Sequence, residues 1–219
     1  MNPNSNKFNR YNNMGNCNSK KDSNSKQLGM NIRKGDTKRK NQDGPKISEC
    51  KVVILGDSAV GKTSIAVRYL ENKFDSNHIV TIGAQFQQPK IQLKNGNTLK
   101  INLWDTAGEE KFRSMLPMYY KDAKAGILVY DIGNEDSFSS IDYWIDALSD
   151  HIAKQNIPLF LVGNKKDLDP ELKKVETTRA QAYAKEHNMM FTEVSAKTSE
   201  GIVELFKSLA EELSVRFNY

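Results

Sequence analysis

Three short runs carry residue types whose spacing matches a chemical task. The first is Gly56-Asp57-Ser58-Ala59-Val60-Gly61-Lys62-Thr63, with Ser64 behind it. It fits G-x-x-x-x-G-K-[ST], in which glycines let backbone N–H groups approach phosphate oxygens. Lys62 then reaches the β- and γ-phosphates, Thr63 offers its hydroxyl to Mg²⁺, and the start of a following helix adds its dipole. This run specifies a nucleotide phosphate and leaves the base open, as it does the choice between kinase, ATPase and GTPase. The second run is Asn164-Lys165-Lys166-Asp167. A carboxylate such as Asp167 can accept two hydrogen bonds side by side. Guanine offers that pair from its ring N–H and 2-amino group, whereas adenine lacks both donors on that edge. The apolar stem of Lys165 can lie along a base face. The third run, Ser195-Ala196-Lys197, can bring a backbone N–H to the guanine 6-oxo group.

These runs need a scaffold that gathers them at one edge. Cys50 to Gly56 is a short apolar, β-branched run ending in glycine, which predicts a strand buried on both faces. Ala125 to Ile132, Ile157 to Asn164 and Met189 to Ala196 predict three more strands. Gln85–Leu93 and Thr98–Trp104 alternate, and Asn95-Gly96 between them is a hairpin signal. Helical periodicity follows at 62–70 and recurs near 137–152, 176–187 and 199–217. Strands alternating with helices predict an α/β P-loop fold: a doubly wound, mostly parallel sheet of about six strands with about five helices. Ligands bind such sheets at the carboxyl ends of the strands.

Composition separates this domain from a leader. Residues 1–49 hold eleven basic and four acidic side chains, a net of +7 within a whole-chain +5, and eleven asparagines. A segment so poor in apolar side chains cannot offset its ordering entropy, so 1–49 is expected to be a disordered basic tail and 50–217 the folded domain. The body is close to neutral, which argues against a nucleic-acid partner. Two cysteines, Cys17 and Cys50, suit a reducing compartment, and no stretch of the sequence is long and apolar enough to span a bilayer.

Over residues 50–217 the chain resembles the Ras-like small GTPases. Trp104-Asp105-Thr106-Ala107-Gly108 is similar to their second switch, and Thr81-Ile82-Gly83 looks like the first-switch motif of the Rab branch. TIGAQF and MLPMYYKDAKAGILVYDI are most like the early-endosomal Rabs. The resemblance implies a switch that binds GTP and GDP with Mg²⁺ and hydrolyses GTP. Thr63 and Thr81 would ligate Mg²⁺ directly and Asp105 would hold it through water. Thr81 and the Gly108 N–H would sense the γ-phosphate, and Phe74 would pack across the guanine. Phe86, Trp104 and Tyr119 match the aromatic triad that Rabs present to effectors. The implied partners are an exchange factor, a GTPase-activating protein and effectors. The implied location is cytoplasmic, peripheral on endosomal or other vesicle membranes.

The chain departs from that family in two places. Glu109 stands where the family carries Gln. A Gln amide both accepts from the attacking water and donates toward the phosphoryl group, whereas an ionised Glu only accepts. Catalysis would then rest on Lys62, Thr63 and Thr81, with Glu109 either weakening hydrolysis or polarising the water as a base. A hydrolysis-impaired, GTP-loaded scaffold is the alternative function, and a nucleoside kinase a third one that the two base-reading runs disfavour. Secondly, no cysteine follows Cys50, so prenylation is not expected. Met14-Gly15-Asn16-Cys17-Asn18-Ser19 instead fits the N-myristoylation signal, with Cys17 placed for palmitoylation and Lys20, Lys21 and Lys26 for an anionic leaflet. Two such signals make a stable anchor. Myristoylation needs a terminal glycine, so translation is expected to start at Met14, or the first 13 residues to be removed. Intact mass of the native protein should therefore show an acylated chain beginning at Gly15. A chain beginning at Met1 without lipid contradicts the anchor.

Overall fold

The computed structural model describes residues 44–76, 81, 84–106 and 116–219. Gly15, Cys17, Gly108 and Glu109 lie outside them.

Among the described residues seven strands form one sheet: β1 (Ile47–Leu55), β2 (Ala84–Gln87), β3 (Lys90–Gln92), β4 (Thr98–Thr106), β5 (Ala125–Asp131), β6 (Leu159–Asn164) and β7 (Met190–Glu193). The order is β2-β4-β1-β5-β6-β7, with β3 also on β4. The neighbours β4-β1-β5-β6-β7 are parallel, and β2 and β3 run antiparallel to β4. The helices are α1 (Lys62–Glu71), α2 (Leu116–Tyr120), α3 (Glu135–Ser139), α4 (Ile141–Gln155), α5 (Thr177–Glu186) and α6 (Ile202–Phe217).

Alternation along the strands divides the core between the two faces. Val52 and Ile54 of β1, with Ile127 and Val129 of β5, pack on the side of α1 and α6. Val53 and Leu55, with Leu128 and Tyr130, pack on the side of Trp144 and Leu148 of α4. Burial on both faces is why these strands read as unbroken apolar runs. Helix α6 covers its side with Ile202, Leu205, Phe206, Leu209, Ala210 and Leu213, one stripe at helical spacing. Phe206 stacks on Tyr69 of α1 with ring centroids 4.0 Å apart.

Several boundaries differ from the sequence expectation. The first strand begins at Ile47 rather than Cys50, because three polar-flanked residues extend the parallel ladder with β4. The run expected over 85–93 is two strands. Pro89 interrupts it, since proline has no N–H to donate, although its carbonyl still accepts from Ile101 N–H at 2.9 Å. The helix expected near 137–152 is two helices. Asn134 caps α3 by accepting from the N–H groups of Asp136 and Ser137, and the chain turns at Ser140, whose hydroxyl donates to the Asp136 carbonyl at 2.9 Å. The last strand stops at Glu193, so 194–196 form a loop instead. Asn95-Gly96 does sit in the turn between β3 and β4, with Gly96 at φ 83°. Among the described residues no helix is long and apolar enough to cross a membrane.

Cys50 is buried in β1, and that burial pushes its thiol up to about 12. Because the folded value is raised, the stability tied to this thiol is full below the ordinary thiol range. It is lost as pH climbs from there toward 12. Mapping of iodoacetamide-treated protein at mildly alkaline pH should find Cys50 unmodified in the native chain and alkylated in denaturant. Rapid native-state alkylation would contradict this burial.

Candidate nucleotide site

β1, β6 and β7 are parallel strands of one sheet, with β5 between β1 and β6, so the loops that follow their carboxyl ends lie on the same edge of the sheet. Between them is a cavity of about 500 Å³, a size usual for small-molecule sites. Ser58, Ala59, Gly61, Lys62, Thr63 and Ser64 line it from the first run, Asn164, Lys165 and Asp167 from the second, and Ala196 and Lys197 from the third. Phe74 and Thr81 line it as well.

The phosphate loop is shaped by two glycines. Gly56 (φ 142°) passes so close to β5 that a Cβ there would lie 2.2 Å from the Val129 carbonyl oxygen. Gly61 (φ 94°) begins α1, and a Cβ there would lie 2.2 Å from Asn164 Nδ2. Only glycine satisfies both demands. Asp57 and Val60 turn away from the cavity. The Asp57 carboxylate accepts from Trp144 Nε1 at 3.0 Å, and Val60 is buried. Lys62 is also buried, and its Nζ donates to the carbonyls of Gly56 at 2.8 Å and Asp57 at 2.6 Å. Burial pushes its ammonium down to about 8, partly offset by the charges of Asp105 and Asp57.

Three hard oxygens meet beside this lysine. Thr63 Oγ1 donates to Asp105 Oδ2 and lies 2.7 Å from Thr81 Oγ1. Asp105, at the end of β4, and Thr63 are both buried. Two hydroxyls and a carboxylate suit Mg²⁺, which takes oxygen ligands and is held by few protein groups plus phosphate. The donor set therefore fits the metal, and the glycine-walled cradle fits a phosphate.

At the other end, Asp167 is set by its neighbours. Ser195 Oγ donates to its Oδ1 at 2.5 Å, and Lys197 Nζ lies 3.5 Å from its Oδ2. Ser195 is fully buried behind the cavity wall rather than lining it as the sequence led us to expect, and its hydroxyl serves the site by holding Asp167 and by accepting from Thr198 N–H. Lys165 has positive φ (69°), and its Nζ pairs with Asp131 Oδ2 at 2.6 Å. Asn164 ties the two ends together: its Nδ2 donates to the Val60 carbonyl at 2.9 Å and its Oδ1 accepts from Ala196 N–H at 3.2 Å.

Sequence reasoning missed Asp131, Trp144 and Arg68. Each acts on a motif from outside it, across 34, 87 and about 128 residues respectively. No local spacing marks such partners.

The expected aromatic triad is assembled. Phe86 and Trp104 are cross-strand neighbours on β2 and β4, with centroids 5.7 Å apart and edge to face. Trp104 lies 6.1 Å from Tyr119 of α2, and Lys51 Nζ stands 4.6 Å over its ring. Phe86 is 54% exposed, so this row is not simply core.

Strand order, phosphate loop and cavity define a phosphate-loop nucleotide-binding α/β domain. A family model described as Ras family matches residues 51–215, and the chain belongs to that family of GTP-hydrolysing proteins. Its relatives narrow this to the Rab type. Ras-related protein Rab-5B of Plasmodium falciparum is 43% identical over 179 residues, 82% of this chain and 83% of that protein. Ras-related protein Rab-5A of Dictyostelium discoideum is 44% identical over 168 residues, 77% of this chain and 82% of that protein. GTP-binding protein ypt5 of Schizosaccharomyces pombe is 43% identical over 163 residues, 74% of this chain and 77% of that protein.

Proposed function

We propose that this chain is a Rab-type switch of endosomal or other vesicle membranes, whose GTP-bound form recruits effectors through Phe86, Trp104 and Tyr119. The convergence of the three runs on one cavity carries the reading. Lys62 binds the β- and γ-phosphates, where anionic oxygens are better acceptors for its buried charge than the carbonyls of Gly56 and Asp57. Asp167 reads the guanine edge and Phe74 packs across the ring. Thr63, Thr81 and Asp105 would hold Mg²⁺, the last through water. The ion supplies positive charge to the phosphates when bound. Thr81 lies between the helix end and β2, so a γ-phosphate that engages Thr81 and the Gly108 N–H orders both switches, and its loss releases them. The half-exposed Phe86 and the partly buried Trp104 then give an effector an aromatic anchor. Acylation at Gly15 and Cys17, with the lysines beyond, supplies the membrane attachment.

Glu109 supports a second reading, a scaffold that stays GTP-loaded. Its carboxylate adds negative charge beside an anionic substrate and has no proton to donate at neutral pH. Single-turnover GTP hydrolysis by wild type and Glu109→Gln, each with and without an activating protein, separates the two. The switch reading expects GDP to accumulate in the wild type and Glu109→Gln to respond more strongly to the activator. Persistent GTP after long incubation of the wild type supports the scaffold instead. Indistinguishable wild-type and variant rates in both conditions remove any special role for Glu109.

A further inference from the structure

Arg68 lies on α1, five residues past the metal-site threonine, yet none of its polar contacts is to the phosphate loop. Among the described residues its guanidinium makes four hydrogen bonds. Nε donates to the Ala196 carbonyl at 2.7 Å and Nη2 to the Lys197 carbonyl at 2.9 Å. Nη1 donates to the Asn72 carbonyl at 2.9 Å and to Asn72 Oδ1 at 3.2 Å. Asn72 ends α1 in the left-handed conformation, and its own N–H donates back to the Arg68 carbonyl. One planar cation thus ties the end of α1 to the loop after β7.

The consequence follows from peptide planarity. The Ala196 carbonyl and the Lys197 N–H belong to one rigid plane and point in opposite directions. Fixing the carbonyl fixes the direction of the N–H. Elsewhere in this turn, the Ala196 N–H is engaged by Asn164 Oδ1, and the Thr198 N–H donates to Ser195 Oγ at 3.0 Å. The Lys197 N–H is therefore the loop's donor toward a base, and Arg68 sets its aim. Bonds from an ionised guanidinium to carbonyls are the stronger kind and hold geometry as well as energy.

We propose that Arg68 is a positioning residue for guanine recognition: by clamping the Ala196 and Lys197 carbonyls, it aims the Lys197 N–H at the guanine 6-oxo group. This rests on the reading of residues 195–197 as the 6-oxo contact. Arg68 also fixes Asn72, two residues before Phe74. That second effect bears on stacking, which every purine shares, so it does not alter the choice between bases.

Three nucleotides separate these effects in the full-length protein with Mg²⁺, by displacement of a fluorescent GDP. Inosine diphosphate lacks the 2-amino group and reports on Asp167. 6-Thioguanosine diphosphate keeps both Asp167 donors, replaces the 6-oxo by a poor acceptor, and reports on the Lys197 N–H. In Arg68→Ala, GDP affinity should fall about tenfold. The preference for GDP over the 6-thio nucleotide should shrink about fivefold while the preference over inosine diphosphate stays within about twofold. Arg68→Lys, which keeps the charge but not the fork, should shift the same ratio in the same direction by less. Equal shrinkage of both preferences, or of neither, overturns the proposal and leaves Arg68 a general fold contact. A wild type that binds inosine diphosphate as well as GDP would overturn the guanine reading itself, and the proposal with it.

Discussion

One side chain, Asn164, holds the two halves of the site together. It ends a strand whose every residue is buried, and its amide spends its donor on the phosphate loop and its acceptor on the base-side loop. A buried amide satisfied at both ends is stable in a low-dielectric interior, whereas either bond lost alone leaves a costly orphan. Gly61 completes the constraint, because the Asn164 amide nitrogen occupies the space a side chain at 61 would need. One buried residue at the carboxyl end of β6 thus ties the phosphate-side loop to the base-side loop.

Around that bond the chain concentrates charge where water is scarce. Lys62 and Asp105 are both buried, and Thr63 links Asp105 to Thr81. Such an arrangement tolerates burial through partners: carbonyls for the lysine, the Thr63 hydroxyl for the carboxylate. The same groups match a phosphate and a hard cation, so the polarity that costs the isolated fold stability is what the nucleotide uses. Asp131, Trp144 and Arg68 hold the surrounding motifs from three different elements, which makes the site rigid from outside rather than by its own loops.

The legible part of the fold was the part with local causes. Buried parallel strands read as apolar runs, Asn95-Gly96 read as a turn, and glycine, lysine and threonine at fixed spacing read as a phosphate loop. Boundaries set by competition between local signals were misplaced: Pro89 cut one strand in two, and Ser140 bent one helix into two. The chemistry of Asp167 was visible, but Ser195 as its hydrogen-bond donor was not, because hydroxyl direction depends on a loop after a short strand. Arg68 was invisible for a stronger reason. Its long-range partners are the backbone carbonyls of Ala196 and Lys197, which carry no residue type for a pattern to recognise.

The most direct test of this account is the rate at which GDP leaves the full-length protein in the presence of Mg²⁺ when Asn164 is replaced by alanine. Loss of both amide bonds should speed release by about ten- to a hundredfold, with the secondary structure unchanged by circular dichroism. Release at the wild-type rate would show that the two subsites are held without Asn164, and would contradict the account.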